Sequence, residues 1–430
     1  MVSLLIIADD FTGALDTGVQ FASGGAVTRV VTNNELDFRY LDPSVQVLVM
    51  DAETRHLSRR AAYDIVYGIT ERAIKQKIPH IYKKTDSALR GNIGSELAAV
   101  LQASQIQSLP FFPSFPKMNR CTKNGILYID GVPVDQSVFG SDPFEPVVCS
   151  SISELIRKQT TVPVSVRSLM DLVFSKRIPP GITVWDGETD QELMQMGILL
   201  QRHSGLPIAA GCAGFASVLS GLLNLSGRQP PSPTFVPSFL VICGSVNPIT
   251  SGQLDEAERC GFLRTRLTPE QKLEPRFWKS AEGKIQLTQW LRLLKQHPLV
   301  ILDSNDYPGE NRTLSYADSH SIGLTGIRMR ISESYGRILK GMIDQGLDST
   351  LMITGGDTLL GCMRQLGIEE MEPGCELEPG IVLSTFHLKH RRWQVISKSG
   401  GLGSKDLLNR LAQQIFGRTP TEYRQKEEAI

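Results

Sequence analysis

The sequence carries no excess of charge of either sign. Lys plus Arg and Asp plus Glu each number 45, so the formal net charge is zero, and neither a nucleic-acid-binding surface nor a polybasic membrane patch is expected. It has no apolar run near the roughly 18–20 residues that cross a bilayer. No basic stretch precedes Leu4, so the start of the chain does not read as a cleaved signal peptide. The seven cysteines include no CxxC pair. An odd count without a framework points to reduced thiols and a cytoplasmic protein, and Cys212 and Cys243, in apolar strand-like runs, are expected to be buried. Strings that carry chemistry are missing too. A Walker A loop ending in GK[ST] and a GxGxxG turn are absent, which removes support from P-loop and Rossmann dinucleotide readings, and with them from a dehydrogenase. The seven histidines show no HExxH or other ligand spacing, so no protein-held metal site is expected. No GxSxG elbow is present, which disfavours an α/β-hydrolase.

What the chain does have is alternation. Its 430 residues leave room for two or three domains, each with its own core. Near the N-terminus, SLLIIADDFTGALDTG runs from Ser3 to Gly18. Its apolar strand, Leu4 to Ala8, ends abruptly in Asp9-Asp10, and Thr12-Gly13 lead into a helix to about Ser23. Strand-like runs recur at Ala26–Thr32, Val45–Met50, His80–Lys84 and Leu109–Pro113, with helices between them, one capped by Ser58. This predicts a mostly parallel sheet flanked by helices. Phe112–Pro146 breaks the rhythm and reads as a lid or binding loop, with a hairpin expected at Asp130-Gly131. The rhythm then resumes through Pro207–Ala210 and a helix after Gly214. Ser226–Pro237, with four prolines, reads as a linker. It divides an N-terminal domain over 1–225 from a C-terminal domain over 238–430. The second domain repeats the α/β pattern, with strands at Phe239–Cys243, Leu299–Leu302, Thr350–Ile353 and Gln394–Ser397. A long helix over about Gly326–Gln345 is closed by Gly346, and a frayed polar tail is expected after Gly417. No repeat of fixed period and no interface stripe is legible.

In the second half, strand after strand ends in a Gly/Ser/Thr stretch that enters a helix: GSVNPIT from Gly244, TGGDT from Thr354 and KSGGLGS from Lys398. Glycine lets backbone N–H groups approach an anion, and a helix N-terminus adds the positive end of its dipole. One such loop is ordinary turn geometry; three on one sheet edge point to a phosphate-rich ligand. The first half supplies charged strand ends instead: Asp9 and Asp10, Arg55, and Lys83, Lys84, Asp86 and Arg90 within KKTDSALRG. Cations with carboxylates suit a small polar anion such as a sugar acid, since Arg can hold a carboxylate bidentately and a carboxylate can orient an attacking hydroxyl. Plainer readings stand beside these. Asp10 and Asp357 fit helix N-caps, Lys83 and Lys84 fit a solvated strand end, and Arg55 fits a surface ion pair.

Taken together, ADDFTGALDTG, KKTDSALRGNIGSEL, GVPVDQSVFGSDPFEPV, CGSVNPIT with Gln253, TGGDT and SKSGGLGSKD resemble the four-carbon acid sugar kinases, whose members act on D-threonate, D-erythronate or 3-oxo-tetronate. The resemblance covers nearly the whole chain. It implies an N-terminal acid-sugar domain, a C-terminal ATP domain and an active site in the cleft between them, with Mg²⁺ bridging phosphate oxygens. The substrate site would take Asp9, Asp10, Arg55, Lys83, Lys84, Thr85 and Asp86, with Asp86 and Lys83 as the catalytic pair and Arg55 on the substrate carboxylate. The ATP site would take Ser245, Gly355, Gly356, Asp357, Thr358 and Gly401. In this chain Asn119 and Cys121 stand where the family usually has Gly and Thr, and Leu402 where an aromatic is common. KKTDS looks closer to the threonate and erythronate enzymes. A 3-oxo-tetronate kinase and a non-catalytic sensor of sugar acid or nucleotide are the alternatives.

Overall fold

The computed structural model describes residues 2–142, 145–175, 178–225 and 227–417. Pro143 and Phe144 of the middle motif, Ser226 at the start of the proline-rich stretch and the tail after Gly417 lie outside the described residues. The chain forms two compact units that part at Pro230 and Pro231, with Glu372–Cys375 belonging to the first.

The first unit is built on strands β1 (Leu4–Ala8), β2 (Thr28–Val31), β3 (Val47–Asp51), β4 (His80–Lys84) and β5 (Ser108–Phe112). A small sheet follows, of β6 (Arg120–Lys123), β7 (Ile126–Ile129) and β8 (Val132–Pro133), and then β9 (Val164–Arg167), β10 (Gly181–Trp185) and β11 (Ile208–Gly211). The large sheet has the order β2-β3-β1-β4-β11-β5-β10-β9 and is parallel throughout. β1 is buried at every position because helices cover both faces, which is why it reads as an unbroken apolar run. Leu5 and Ile7 pack with Leu48, Met50 and Ile81 on one side. The register sets Ala8 beside Asp51 and beside Lys84, so three strands end level at one edge.

β6, β7 and β8 form an antiparallel meander. Its second turn is the expected Asp130-Gly131, with φ +51° and +79°. Its first is Asn124-Gly125, with φ +52° and +71°, the same two-residue signal. Asn119 has φ +53°, a left-handed backbone that Asn tolerates better than most residues other than Gly.

The second unit carries β12 (Phe239–Cys243), β13 (Leu263–Arg266), β14 (Leu299–Asp303), β15 (Thr350–Thr354), β16 (Glu370–Glu378), β17 (Ile381–Leu388) and β18 (Arg391–Lys398). The order is β13-β14-β12-β15-β18-β17-β16; the first five are parallel and β17 runs antiparallel to β18. Arg266, Asp303, Cys243, Thr354 and Lys398 form one row of strand-end residues by register. Cys212 and Cys243 are fully buried, and all seven cysteines are unpaired. No helix among the described residues is long and apolar enough to cross a membrane.

Candidate active site

In each unit the first strand lies inside the sheet between the third and fourth strands of that unit, β1 between β3 and β4 and β12 between β14 and β15, and the chain therefore reverses direction across the sheet there. Parallel sheets bind ligands at such points, outside the carboxyl ends of the strands. In the first unit that edge holds β1, β3 and β4, and the charged residues converge on it.

Asp9 and Asp10 follow β1. Asp10 caps the helix Phe11–Ala22, accepting from the Gly13 amide at 3.1 Å and from Thr12 Oγ1 at 2.7 Å. It is also a member of the charged cluster, so the cap reading and the ligand reading describe one side chain. Arg55, in the segment after β3, donates through Nε to Asp9 Oδ2 at 2.8 Å. Its Nη2 lies 2.7 Å from both Asp9 Oδ2 and Asp10 Oδ1, and 3.4 Å from Asp86 Oδ1. Lys84 Nζ lies 3.2 Å from Asp9 Oδ1 and from Asp10 Oδ1. Asp86 accepts from Arg90 Nε at 2.8 Å and Nη2 at 3.0 Å, a bidentate pair. Arg90 reaches on to Asp142 at 3.3 Å. The middle loop closes over this group: Arg120 donates to Ser87 Oγ, and the guanidinium groups of Arg90 and Arg120 lie 5.4 and 5.1 Å from the Phe139 ring centroid.

Burial alone would raise the Asp10 and Asp86 carboxyls. Arg55 and Lys84 beside Asp10, and Arg90 and Arg55 beside Asp86, outweigh it and hold both well below the usual carboxylate range. Burial likewise opposes charge on Lys84 and Arg55, and the aspartates more than reverse it. The result is a set of fixed ionised groups, cations and anions interleaved at one strand edge. Arg55 and Lys84 are 8% and 3% exposed, so the solvated and surface-pair readings do not describe them.

Lys83 is placed elsewhere. Side chains alternate across a strand, so neighbouring lysines on β4 face opposite sides of the sheet. Lys83 is completely buried, with Nζ 2.7 Å from Glu96 Oε2 and 2.6 Å from the Lys84 carbonyl. The structure does not bring it to Asp86. Thr85 is also fully buried; its amide donates to Gly211 O at 2.8 Å, and its hydroxyl has no hydrogen-bond partner among the described residues. Glu96 went unnoticed in the sequence, although a lone carboxylate in the apolar helix Ile93–Ser104 is itself the sign of a buried pair.

In the second unit the three glycine loops meet. A Cβ on Gly400 would fall 2.5 Å from Ser245 Oγ, and one on Gly244 would fall 1.9 Å from Thr358 Oγ1. Gly355, with φ +102°, lies against Thr358 Oγ1 and Ser245 N. The cap of the helix Gly356–Leu366 is therefore Gly355 and not Asp357, and the helix starts without a side-chain cap. Asp357 sits in that first turn, with Arg328 Nε 3.7 Å from Oδ2. Gly401 follows Gly400 in the loop after β18. Close-packed glycines, hydroxyls and an uncapped helix start form a donor set suited to phosphate oxygens. No group of three or more His, Cys, Asp or Glu among the described residues could hold a metal ion.

Comparison with known proteins agrees with this division of labour. Residues 4–219 match the family model for a sugar-binding N-terminal domain, and residues 240–408 match that for a nucleotide-binding C-terminal domain. The chain is 30% identical to a D-threonate kinase of Salmonella typhimurium, covering 95% of this chain and 97% of that one. It is 25% identical to a D-erythronate kinase of Heliobacterium modesticaldum, over 94% and 95% of the two chains. A protein of known crystal structure from Salmonella typhimurium LT2 shares the fold, with TM-score 0.75 at 19% identity, over 96% of this chain and all of that one. With an acid-bearing strand edge in one unit, a phosphate-type cradle in the other and relatives matched end to end, the chain belongs to the four-carbon acid sugar kinases, phosphotransferases with a hydroxyl as acceptor.

Proposed function

We propose that the protein transfers the γ-phosphoryl group of ATP to the terminal hydroxyl of D-threonate or D-erythronate, giving a 4-phospho-tetronate. The observation that carries this reading is the fixed cluster of Asp9, Asp10, Arg55, Lys84 and Asp86 at the edge of the first unit. It offers both an anion-binding face and carboxylates that stay ionised. Arg55 is assigned to the substrate carboxylate. Lys84 offsets charge on the acceptor side. Asp86, or the Asp9-Asp10 pair, orients the attacking hydroxyl. A carboxylate held this far below its usual range is a weak base, and phosphoryl transfer asks mainly for position and charge neutralisation. Lys83, paired with Glu96, holds the end of β4 in place. In the second unit Ser245, Gly355, Gly356, Asp357, Thr358 and Gly401 take the nucleotide, and the amides of the glycine loops hold its phosphates. Mg²⁺, when bound, would be held mainly through the nucleotide's phosphate oxygens and would supply charge neutralisation.

The test is ATP-to-ADP turnover with Mg²⁺ against D-threonate, L-threonate, D-erythronate, 3-oxo-tetronate and no acid. Turnover with D-threonate or D-erythronate alone is expected. Preference for the 3-oxo acid would move the substrate assignment. Binding of an acid without ATP consumption would make the protein a sensor.

A further inference from the structure

Four lysines are buried in the described residues, and three of them sit on a carboxylate: Lys83 on Glu96, Lys84 on Asp9 and Asp10, and Lys272 on Asp306. Lys398 is the exception. It closes β18, is 1% exposed, and donates from Nζ to Thr250 Oγ1, Ser399 O and Gly400 O, each at 3.0 Å. All three acceptors are neutral. A buried ammonium with no counter-charge is costly unless something else completes it.

The bonds it makes shape the loop. A trans peptide points its carbonyl and the next residue's N–H in opposite directions. Drawing the Ser399 and Gly400 carbonyls onto Nζ therefore turns the Gly400 and Gly401 amides away from Lys398. Gln253 extends the pattern, its Nε2 donating to the carbonyls of Leu402, Gly403 and Ser404 at 3.0, 2.9 and 3.0 Å. The Leu402 amide returns to Ser399 O at 3.3 Å, and the Gly400 amide, turned away from Lys398, is placed to face an anion.

We propose that Lys398 is a positioning residue for the nucleotide loop, turning the Gly400 amide outward, and that the nucleotide's phosphates supply the counter-charge the protein withholds. The inference rests on the reading of this unit as the nucleotide site. Burial lowers Lys398 from its ordinary value to about 7. The titratable group that faces it is Cys243 on β12, pushed up to about 12 by burial and so neutral. Cys243 in turn faces Asp303 and Arg264, which pair with each other at 2.7 Å. Thr250 faces Lys398 from the helix Pro248–Arg259. An arriving anion favours the ammonium, so binding draws a proton onto Lys398. The three donated bonds need all three N–H groups of the ammonium, and the neutral amine, which burial favours as pH rises above about 7, must give one of them up; at about pH 8 a bound, fully ionised nucleotide therefore restores the ammonium, and uptake can approach about one proton per nucleotide.

The experiment is calorimetric titration of ADP into the full chain at about pH 8, in buffers of different ionisation enthalpy, for the wild type and Lys398→Met. The wild type is expected to take up about 0.5–1 proton per ADP, with affinity falling roughly three- to tenfold per pH unit above about pH 7.5. Lys398→Met is expected to bind at least about tenfold more weakly and to take up no proton. ADP binding by the wild type without uptake, or equal uptake in both proteins, overturns the inference and leaves the nucleotide site standing. Failure of the wild type to bind ADP overturns the nucleotide reading itself. Should Lys398→Met not fold, the wild-type uptake and pH slope decide the matter.

Discussion

At Gly13 the first unit leaves no room for a methyl group. A Cβ there would fall 1.8 Å from Lys84 Nζ and 2.4 Å from Asp10 Oδ1. Gly13→Ala must therefore push Lys84 off its aspartates. We expect kcat/KM with the preferred tetronate to fall at least about tenfold, with a lower melting temperature because a buried charge loses its partners. Unchanged kinetics would show that the position of Lys84 does not matter to the reaction. Asp51 makes the opposite case. It ends β3 fully buried, with one carboxylate oxygen lacking a partner, and burial, then Glu53, Asp10 and Asp9, push its carboxyl well above the usual range. A raised carboxyl stabilises the fold below its unfolded value and loses that contribution as pH rises through the folded value. Asp51→Asn mimics the protonated form. Its melting temperature should exceed the wild type's near neutral pH, by about 2–4 °C for each kcal/mol gained, and the gap should close below about pH 4. A lower melting temperature at neutral pH would mean that the ionised form is needed.

Among the elements, the helix Gly356–Leu366 starts without a side-chain cap, which suits the nucleotide-binding role proposed for it. Gly355 precedes it with φ +102°, where a β-branched residue is strained and its side chain would stand in the path of an anion. Gly355→Val is expected to weaken ADP binding at least about tenfold while tetronate binding holds; unchanged ADP affinity would move the nucleotide elsewhere. Parallel strands such as Leu4–Ala8 and Phe239–Cys243 were legible in the sequence because burial on both faces leaves an unmistakable apolar run, and His80–Lys84, though it ends in two lysines, also lies where the strand–helix alternation puts it. The antiparallel β16 and β17 were not, because Pro373 and Gly374 interrupt one and the other follows a turn without a clear break. Asn124-Gly125 carried the same hairpin signal as Asp130-Gly131 and went unread, so β6 was missed. The charge cluster was legible as a set, since strand ends in one parallel sheet share an edge. Its internal pairing was not. Only the alternation of β4 separates Lys83 from Lys84, and only tertiary contact shows that Glu96 takes the first while Asp9 and Asp10 take the second.

Over the whole chain, the same strand arrangement serves two chemistries. In the first unit β2-β3-β1-β4 surround the opening strand; in the second β13-β14-β12-β15 do so in the same order. No sequence repeat announces this, because the topology constrains which strand lies where and leaves the residues after each strand free to differ. One unit fills those positions with Asp, Arg and Lys, the other with Gly, Ser and Thr. If that division carries the function, each ligand should protect its own strand edge against hydrogen exchange. ADP is expected to slow exchange in 239–259, 350–366 and 395–407, where amides line the glycine loops and the helix starts they enter. D-threonate or D-erythronate is expected to slow it in 8–22, 51–58 and 83–97, where Asp10 caps a helix and Asp86 accepts from the amides of Ala88 and Arg90. The contrast between the two maps is the informative quantity, because a general tightening of the fold would protect both sets with either ligand. A tetronate that protects the glycine loops while leaving 8–22 and 83–97 unchanged would exchange the roles of the two units, and the charged edge of the first would then have to be explained as structure alone.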